Sequence, residues 1–342
     1  AGENQMRRIN GLFERFISFE NLHLAAHRAC RGKKNKRDVA QFYFSLENGI
    51  IRLQSELQGE TYSPKSYRQF EIREPKVRQI FCSDFSDRVV HHAVCNILEP
   101  IFEARLIHDT YACRLGKGSH KAVSKCQYFA RKSSYFLKCD FAKYFESIDT
   151  IVLKSMLSRI IKDQKFLALL NKIIEHQIPT TAPGKGLPIG NLTSQHFANY
   201  YLAVFDKKLE SSPGVTGYVR YMDDFICFSD SKEVLKNLLS EIREFSTEVL
   251  KLRLKEKVTT LAPVAEGVAF LGFRVYPETI RIQRVNLNRL RKKVRLLEKL
   301  RLKGVITQNQ LSDSVRSMVS HVQHSDSKAI RGEIFRDSLK IG

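Results

Sequence analysis

Between two runs that read as strands, residues 218–221 and 225–228, the chain places Met222-Asp223-Asp224, completing the tetrapeptide Tyr-Met-Asp-Asp. Val219, Ile226 and Phe228 are β-branched or aromatic and suit a pleated, half-buried surface. The acidic pair falls where a tight turn must reverse the chain, a place that normally favours Gly or Asn. Met-Asp at such a tip predicts a strained backbone kept for chemistry rather than for ease of folding. Carboxylates on a turn can converge on a hard cation with little obstruction. Asp-rich turns are also ordinary surface features, so the surrounding sequence has to decide.

Upstream lies Tyr135-Phe136-Leu137-Lys138-Cys139-Asp140, a second aromatic and aliphatic strand ending in an acid. Distant strands of one sheet can bring Asp140 beside Asp223. Like charges that close repel unless cations neutralise them, so the pattern predicts two divalent ions held by Asp140, Asp223 and Asp224. Two ions about 4 Å apart activate an attacking hydroxyl and stabilise a leaving pyrophosphate. Mg²⁺ is the expected metal, with Mn²⁺ able to substitute.

At these residues the chain resembles a reverse transcriptase, from about Arg68 to Phe273. Asp140 matches the first catalytic acid of the family's palm, and Asp223-Asp224 match its acidic pair. Glu74-Pro75-Lys76-Val77-Arg78-Gln79-Ile80 is similar to the basic fingers segment, so the resemblance gives Lys76 and Arg78 to the incoming triphosphate. Ser86-Asp87-Arg88-Val89-Val90-His91-His92 resembles the next fingers motif. Phe145 matches the aromatic steric gate against a ribose 2′-hydroxyl, with Phe141 beside it in the nucleotide site. Gly267-Val268-Ala269-Phe270-Leu271-Gly272-Phe273 is similar to the hairpin that grips the primer end, placing Gly272 at nucleic acid. Lys257, in competition with Lys255, is the expected proton donor to pyrophosphate.

Gly186-Leu187-Pro188-Ile189-Gly190-Asn191-Leu192-Thr193-Ser194-Gln195 narrows the resemblance. Most of the family, group II intron enzymes included, carry Gln-Gly at its start and Ser-Pro at its end. Ile189 and Gln195 instead resemble the enzymes of diversity-generating retroelements, which misread template adenines. Thr110-Tyr111-Ala112-Cys113-Arg114 and Gln195-His196-Phe197-Ala198-Asn199 agree. Gly190 is expected to let the backbone approach the nascent base pair. The resemblance implies a template RNA, a primer, deoxynucleoside triphosphates and a small basic oligomeric accessory protein. Three alternatives stand beside it: a group II intron-like enzyme, a phage-defence polymerase, and a non-catalytic RNA-binding derivative.

Charge fits a polyanion partner. The formal net charge is +21, enough to attract nucleic acid at long range. Residues 281–303 hold ten Lys or Arg against the single acid Glu298, and residues 28–37 hold six with no acid. Leu287, Leu290, Val294, Leu297 and Leu300 recur there at helical spacing. An amphipathic thumb helix is predicted, with Arg289, Lys292 and Lys293 facing phosphates.

The expected architecture is α+β, a right-hand polymerase fold. It comprises an N-terminal segment and fingers over 1–133, a palm over 134–285 with a fingers insertion near 150–190, and a helical thumb over 286–342. Helices are predicted at 39–57, 87–102, 150–176, 193–210 and 231–250. Two strands are predicted between 255 and 282, and a second thumb helix from about Gln308 after a break at Gly304. Too little chain follows Phe273 for both a thumb and a nuclease domain, so RNA removal is expected to need a cellular nuclease. The start, Ala1-Gly2-Glu3-Asn4-Gln5-Met6, lacks a secretory pattern. Seven cysteines without Cys-x-x-Cys spacing predict reduced packing residues in a cytoplasmic protein, encoded by a bacterium, an archaeon or a phage. His91, His92 and Cys95 lack a fourth ligand and predict no zinc site.

Overall fold

A computed structural model describes residues 8–73, 77–176 and 181–335. In chain order the elements begin with α1 (Leu12–Ile17), α2 (Phe19–Cys30), α3 (Arg37–Phe44), α4 (Leu46–Gln58), β1 (Arg68–Ile72), β2 (Arg78–Cys82) and α5 (Phe85–Glu103). Next come α6 (Ser119–Ala130), β3 (Tyr135–Cys139), α7 (Tyr144–Ser147), α8 (Thr150–Ile160), α9 (Gln164–Glu175), α10 (Leu192–Tyr201) and α11 (Ala203–Glu210). Then follow β4 (Gly217–Tyr221), β5 (Asp224–Ser229), α12 (Lys232–Glu248), β6 (Thr260–Pro263), β7 (Val268–Phe270), β8 (Phe273–Val275) and β9 (Ile280–Ile282). The last described helices are α13 (Arg284–Leu302), α14 (Gln308–Val322) and α15 (Lys328–Phe335). Mixed helix and antiparallel sheet is the class that the sequence predicts.

The chain divides into two compact units, each assembled from separate segments. One contains residues 1–108, 141–207 and 243–254. Its centre is α5, whose Val89, Val90, Ala93, Val94 and Leu98 are fully or almost fully buried. Asp84 caps this helix by accepting from the Ser86 amide at 3.1 Å. β1 and β2 form an antiparallel pair in the same unit. His91 is a core residue: its Nδ1 lies 2.9 Å from Thr193 Oγ1, and burial presses its pKa down to about 3.

The other unit contains residues 109–140, 208–242 and 255–342. Its four-stranded antiparallel sheet has the order β4-β5-β3-β6. α6 supplies Val123, Cys126 and Phe129 to a core shared with Phe136, Val219, Ile226 and Phe228. Each such side chain contributes about 1.5–3 kcal/mol by leaving water. β7, β8 and β9 make a second antiparallel sheet that packs Phe270, Phe273 and Val275 into the same core.

Helical order past residue 283 follows the apolar spacing. Val294 of α13 is buried with Leu311, Val315 and Val322 of α14, while Leu290 and Leu297 pack partly against them. Thr307 and Gln310 form a capping box that starts α14.

Several boundaries differ from expectation. The 39–57 helix is broken at Ser45, 150–176 is two helices, and the helix expected over 193–210 breaks at Leu202. Four strands, not two, lie between 255 and 282, because short three-residue strands give too little alternation to read. A third helix, α15, follows the expected thumb pair. None of the seven cysteines is in a disulfide. Among the described residues no helix is long and apolar enough to cross a membrane.

Candidate active site

The β4–β5 hairpin closes with the pair Tyr221↔Asp224, leaving Met222 and Asp223 as its two-residue tip. Met222 has φ 57°, a left-handed conformation that costs an L-residue about 1–2 kcal/mol. The strain expected at this turn is therefore present. Arg220 answers it: the side chain is fully buried and donates from Nη1 to the Met222 carbonyl oxygen at 2.9 Å. Its backbone is held as well, the amide donating to Asp109 O at 3.0 Å and the carbonyl accepting from the Tyr111 amide at 2.9 Å. Sequence reasoning missed Arg220, although a cation inside an otherwise apolar strand is a legible signal.

β3 ends one residue before Asp140, and its last ladder pair is Cys139↔Phe225. Continuing that register by one residue sets Asp140 opposite Asp224. Burial, followed by repulsion from the Asp140 carboxylate, pushes the Asp223 carboxyl up to about 7. Burial likewise lifts Asp224 to about 6, against the pull of the Lys138 ammonium. Lys138 Nζ donates to Asp224 Oδ2 at 3.1 Å, and Lys255 Nζ lies 3.8 Å from Asp140 Oδ2. The protein thus supplies two ammonium groups of its own to the three carboxylates.

One oxygen of each of two carboxyls, Asp140 Oδ1 and Asp224 Oδ1, is buried without a hydrogen-bond partner. A buried acceptor left bare costs about 1–3 kcal/mol, so such oxygens suit a ligand that is a cation or a donor. Among the described residues, no group of three or more His, Cys, Asp or Glu side chains is gathered as a ready metal cage. Asp224 turns to Lys138, while Asp140 and Asp223 face each other. Oxygen-only donors of this kind fit a hard divalent ion that keeps much of its water.

Of the two lysines expected near pyrophosphate, Lys255 reaches the acids, and its amide also donates to Asp140 O at 2.8 Å. Lys257 is exposed in the short 3₁₀ turn Glu256–Val258. Gly272 follows Leu271 at the β7–β8 turn, with φ 88°, and its carbonyl accepts from Asn286 Nδ2 at 3.0 Å. That bond ties the turn to the start of α13. Arg289, Lys292 and Lys293 are all exposed on α13.

The remaining expected residues belong to the first unit and are brought together there in part. Lys76 lies outside the described residues. Arg78 is exposed at the start of β2, paired in register with Ile72. Ile189 O accepts from the Phe81 amide of β2 at 2.8 Å, and Ile189 itself is half-buried. A Cβ on Gly190, whose φ is 132°, would lie 2.5 Å from Phe81 O. The backbone of β2 thus requires a glycine here, independently of any base pair. Gln195 is half-buried on α10. Phe145 is half-buried on α7, its ring edge-on to Tyr144 at 5.8 Å. Phe141 is a core ring, 2% exposed and packed against Tyr144 and Phe205.

An antiparallel sheet carrying one acid at a strand end and two more on the adjoining hairpin defines a polymerase palm. The family model for reverse transcriptase (RNA-dependent DNA polymerase) matches residues 65–275, and the chain belongs to that family. Its matched core is that of an RNA-directed DNA polymerase. Protein YkfC of Escherichia coli (strain K12) is 25% identical over 283 residues, covering 70% of this chain and 74% of that protein. The group II intron-encoded protein LtrA of Lactococcus lactis subsp. cremoris is 23% identical over 331 residues, covering 76% of this chain but 54% of LtrA. The chain therefore spans about half the length of LtrA. Among solved structures, apo telomerase from Candida tropicalis, truncated from the C-terminal domain, superposes with a TM-score of 0.52 at 12% identity. That likeness covers 69% of this chain and 60% of the telomerase, and concerns the fold.

Proposed function

We propose that this chain copies a template RNA into cDNA, with Asp140 and Asp223 holding divalent metal and Asp224 completing the acidic cluster. The observation that carries this reading is the convergence, through the β3–β5 register, of Asp140 on the strained, Arg220-braced turn that bears Asp223, with Asp140 Oδ1 buried and without a hydrogen-bond partner. When bound, Mg²⁺ supplies charge neutralisation at the α-phosphate and at the leaving pyrophosphate. The primer 3′-hydroxyl displaces pyrophosphate in line. Catalysis of this kind is mostly positioning and electrostatics. Lys76 and Arg78 neutralise the triphosphate, Phe145 excludes the ribose 2′-hydroxyl, and Gln195 and Ile189 border the nucleotide; Phe141 stays in the core. Lys257 or Lys255 hands a proton to pyrophosphate, and the 3.8 Å approach of Lys255 Nζ to Asp140 Oδ2 supports Lys255. Arg289, Lys292 and Lys293 of a thumb over 286–342, and Gly272, hold the template–primer.

The finer reading is an error-prone enzyme of a diversity-generating retroelement, working with a small basic accessory protein. Ile189 in place of Gln, and Gln195 in place of Pro, support it. Identity to LtrA over most of this chain favours a second reading, a group II intron-like enzyme. Primer extension with Asp140→Asn and Asp223→Asn tests the activity: both are expected to stop incorporation, and robust extension by either overturns the assignment. Single-nucleotide insertion opposite each template base tests the subfamily. Ile189→Gln restores an amide able to restrain the nucleotide, and one net hydrogen bond of about 1 kcal/mol predicts a several-fold fall in misincorporation opposite adenine. Equal misincorporation by both proteins leaves Ile189 as simple packing and puts the source of any misreading elsewhere in the active site.

A further inference from the structure

Lys138 stands two residues before Asp140 on β3, so the strand's alternation sets both side chains on one face of the sheet. The register pairs Lys138 with Ile226, which places Asp224 diagonally across and within reach of a long side chain. The Lys138 ammonium donates to Asp224 Oδ2 at 3.1 Å and to the carbonyl oxygen of Ala269 on β7. It also lies 6.0 Å from the centroid of the Phe270 ring. The Lys138 and Asp224 side chains are only 17% and 22% exposed. One side chain therefore joins three things: the four-stranded sheet, the acidic turn, and the β7 strand that leads to Gly272.

We propose that Lys138 is a positioning residue that takes Asp224 out of the metal-ligand set and clasps the acidic turn to β7. The inference rests on the polymerase reading above and deepens it, because it divides labour among the three acids. Asp140 and Asp223 form the cation-holding pair. Asp224 is neutralised through Oδ2 from within the protein, its Oδ1 staying buried and bare, and its service is to hold the turn and the β7–β8 hairpin in one fixed relation. An ammonium is a compact point charge with three donors, and two of them are used here, on a carboxylate and a carbonyl. A side chain of similar length without charge would leave Asp224 buried and unpaired. Arg keeps the charge and the donors, so it is the substitution that can preserve the clasp.

The test uses the full chain and two independent readouts. Mn²⁺ binding to the metal-free protein is titrated by electron paramagnetic resonance for wild type, Asp224→Asn, Lys138→Met and Asp223→Asn. Primer extension is then measured for the same proteins and for Lys138→Arg, separating kcat from KM for the nucleotide. Mn²⁺ affinity is expected to stay near wild type in Asp224→Asn, to rise in Lys138→Met, which frees Asp224, and to be lost in Asp223→Asn. Lys138→Met is expected to lower kcat by about ten- to a hundredfold with little change in nucleotide KM, as a misplacement of reacting groups does, and Lys138→Arg to recover most of it. A weakening of Mn²⁺ by about tenfold or more in Asp224→Asn makes Asp224 a ligand and overturns the proposal. Wild-type kcat in Lys138→Met, or no recovery in Lys138→Arg, also overturns it. The Asp224→Asn titration decides even where Lys138→Met does not fold. Retention of Mn²⁺ and of extension by Asp223→Asn would instead refute the polymerase site itself.

Discussion

Arg220 Nη1 donates to the Met222 carbonyl oxygen at 2.9 Å, so a fully buried cation holds a left-handed residue at the tip of the acidic hairpin. The guanidinium is buried because the strand's neighbours are, and the turn is strained because its side chains are not those a turn prefers. Arg220→Met keeps volume and removes the bond to Met222. Removing a buried, hydrogen-bonded charge is expected to cost about 2–4 kcal/mol in urea unfolding and to depress extension more than affinity for template–primer. Stability and kcat both at wild-type values would show the turn to be self-supporting.

Metal-free stability should fall as pH rises. The folded-state pKa values of Asp223 and Asp224, about 7 and about 6, lie above the ordinary carboxyl value of 3.8. Between pH 4 and 7 the folded protein therefore binds more protons than the unfolded chain, and unfolding free energy decreases with pH. The decrease is expected to be several kcal/mol, complete at about pH 8, and relieved by Mg²⁺ only where the acids are ionised. Scanning calorimetry from pH 5 to pH 8 with and without Mg²⁺ checks it. Asp223→Asn should flatten most of the slope; an unchanged slope would place the titration elsewhere.

Gly190→Ala drives a methyl group against the Phe81 carbonyl of β2, in a backbone conformation that L-residues rarely adopt. Displacing that strand is expected to cost about 1–3 kcal/mol. Because the Phe81 amide bonds Ile189 O, faster hydrogen exchange at Phe81 is the local signature. Unaltered exchange there would contradict the packing account of this glycine.

Neutralising Arg289, Lys292 and Lys293 together should weaken template–primer binding and flatten its salt dependence. Every phosphate that no longer meets a cation releases one fewer set of counterions, which lowers the slope of log K against log salt by about 0.7–0.9. Binding isotherms at several salt concentrations measure this, and a slope equal to wild type would make this face of α13 a solvated one.

Much of the chemistry was legible in the sequence because its signals are local. Tyr-Met-Asp-Asp between β-branched runs fixes a hairpin, an acid at the end of an aromatic strand fixes a candidate partner, and apolar spacing from Leu287 to Leu300 fixes a helix. Alternation and helical period act over a few residues, so one-dimensional pattern carries them. What the tertiary structure alone decided is which charges meet. Pairing of β3 with β5 puts Lys138 on Asp224, a chain return puts Lys255 rather than Lys257 on Asp140, and the approach of β2 gives Gly190 its reason. Those outcomes depend on register and on the meeting of residues far apart in the chain, where distances of a few ångströms decide the electrostatics and no local pattern records them.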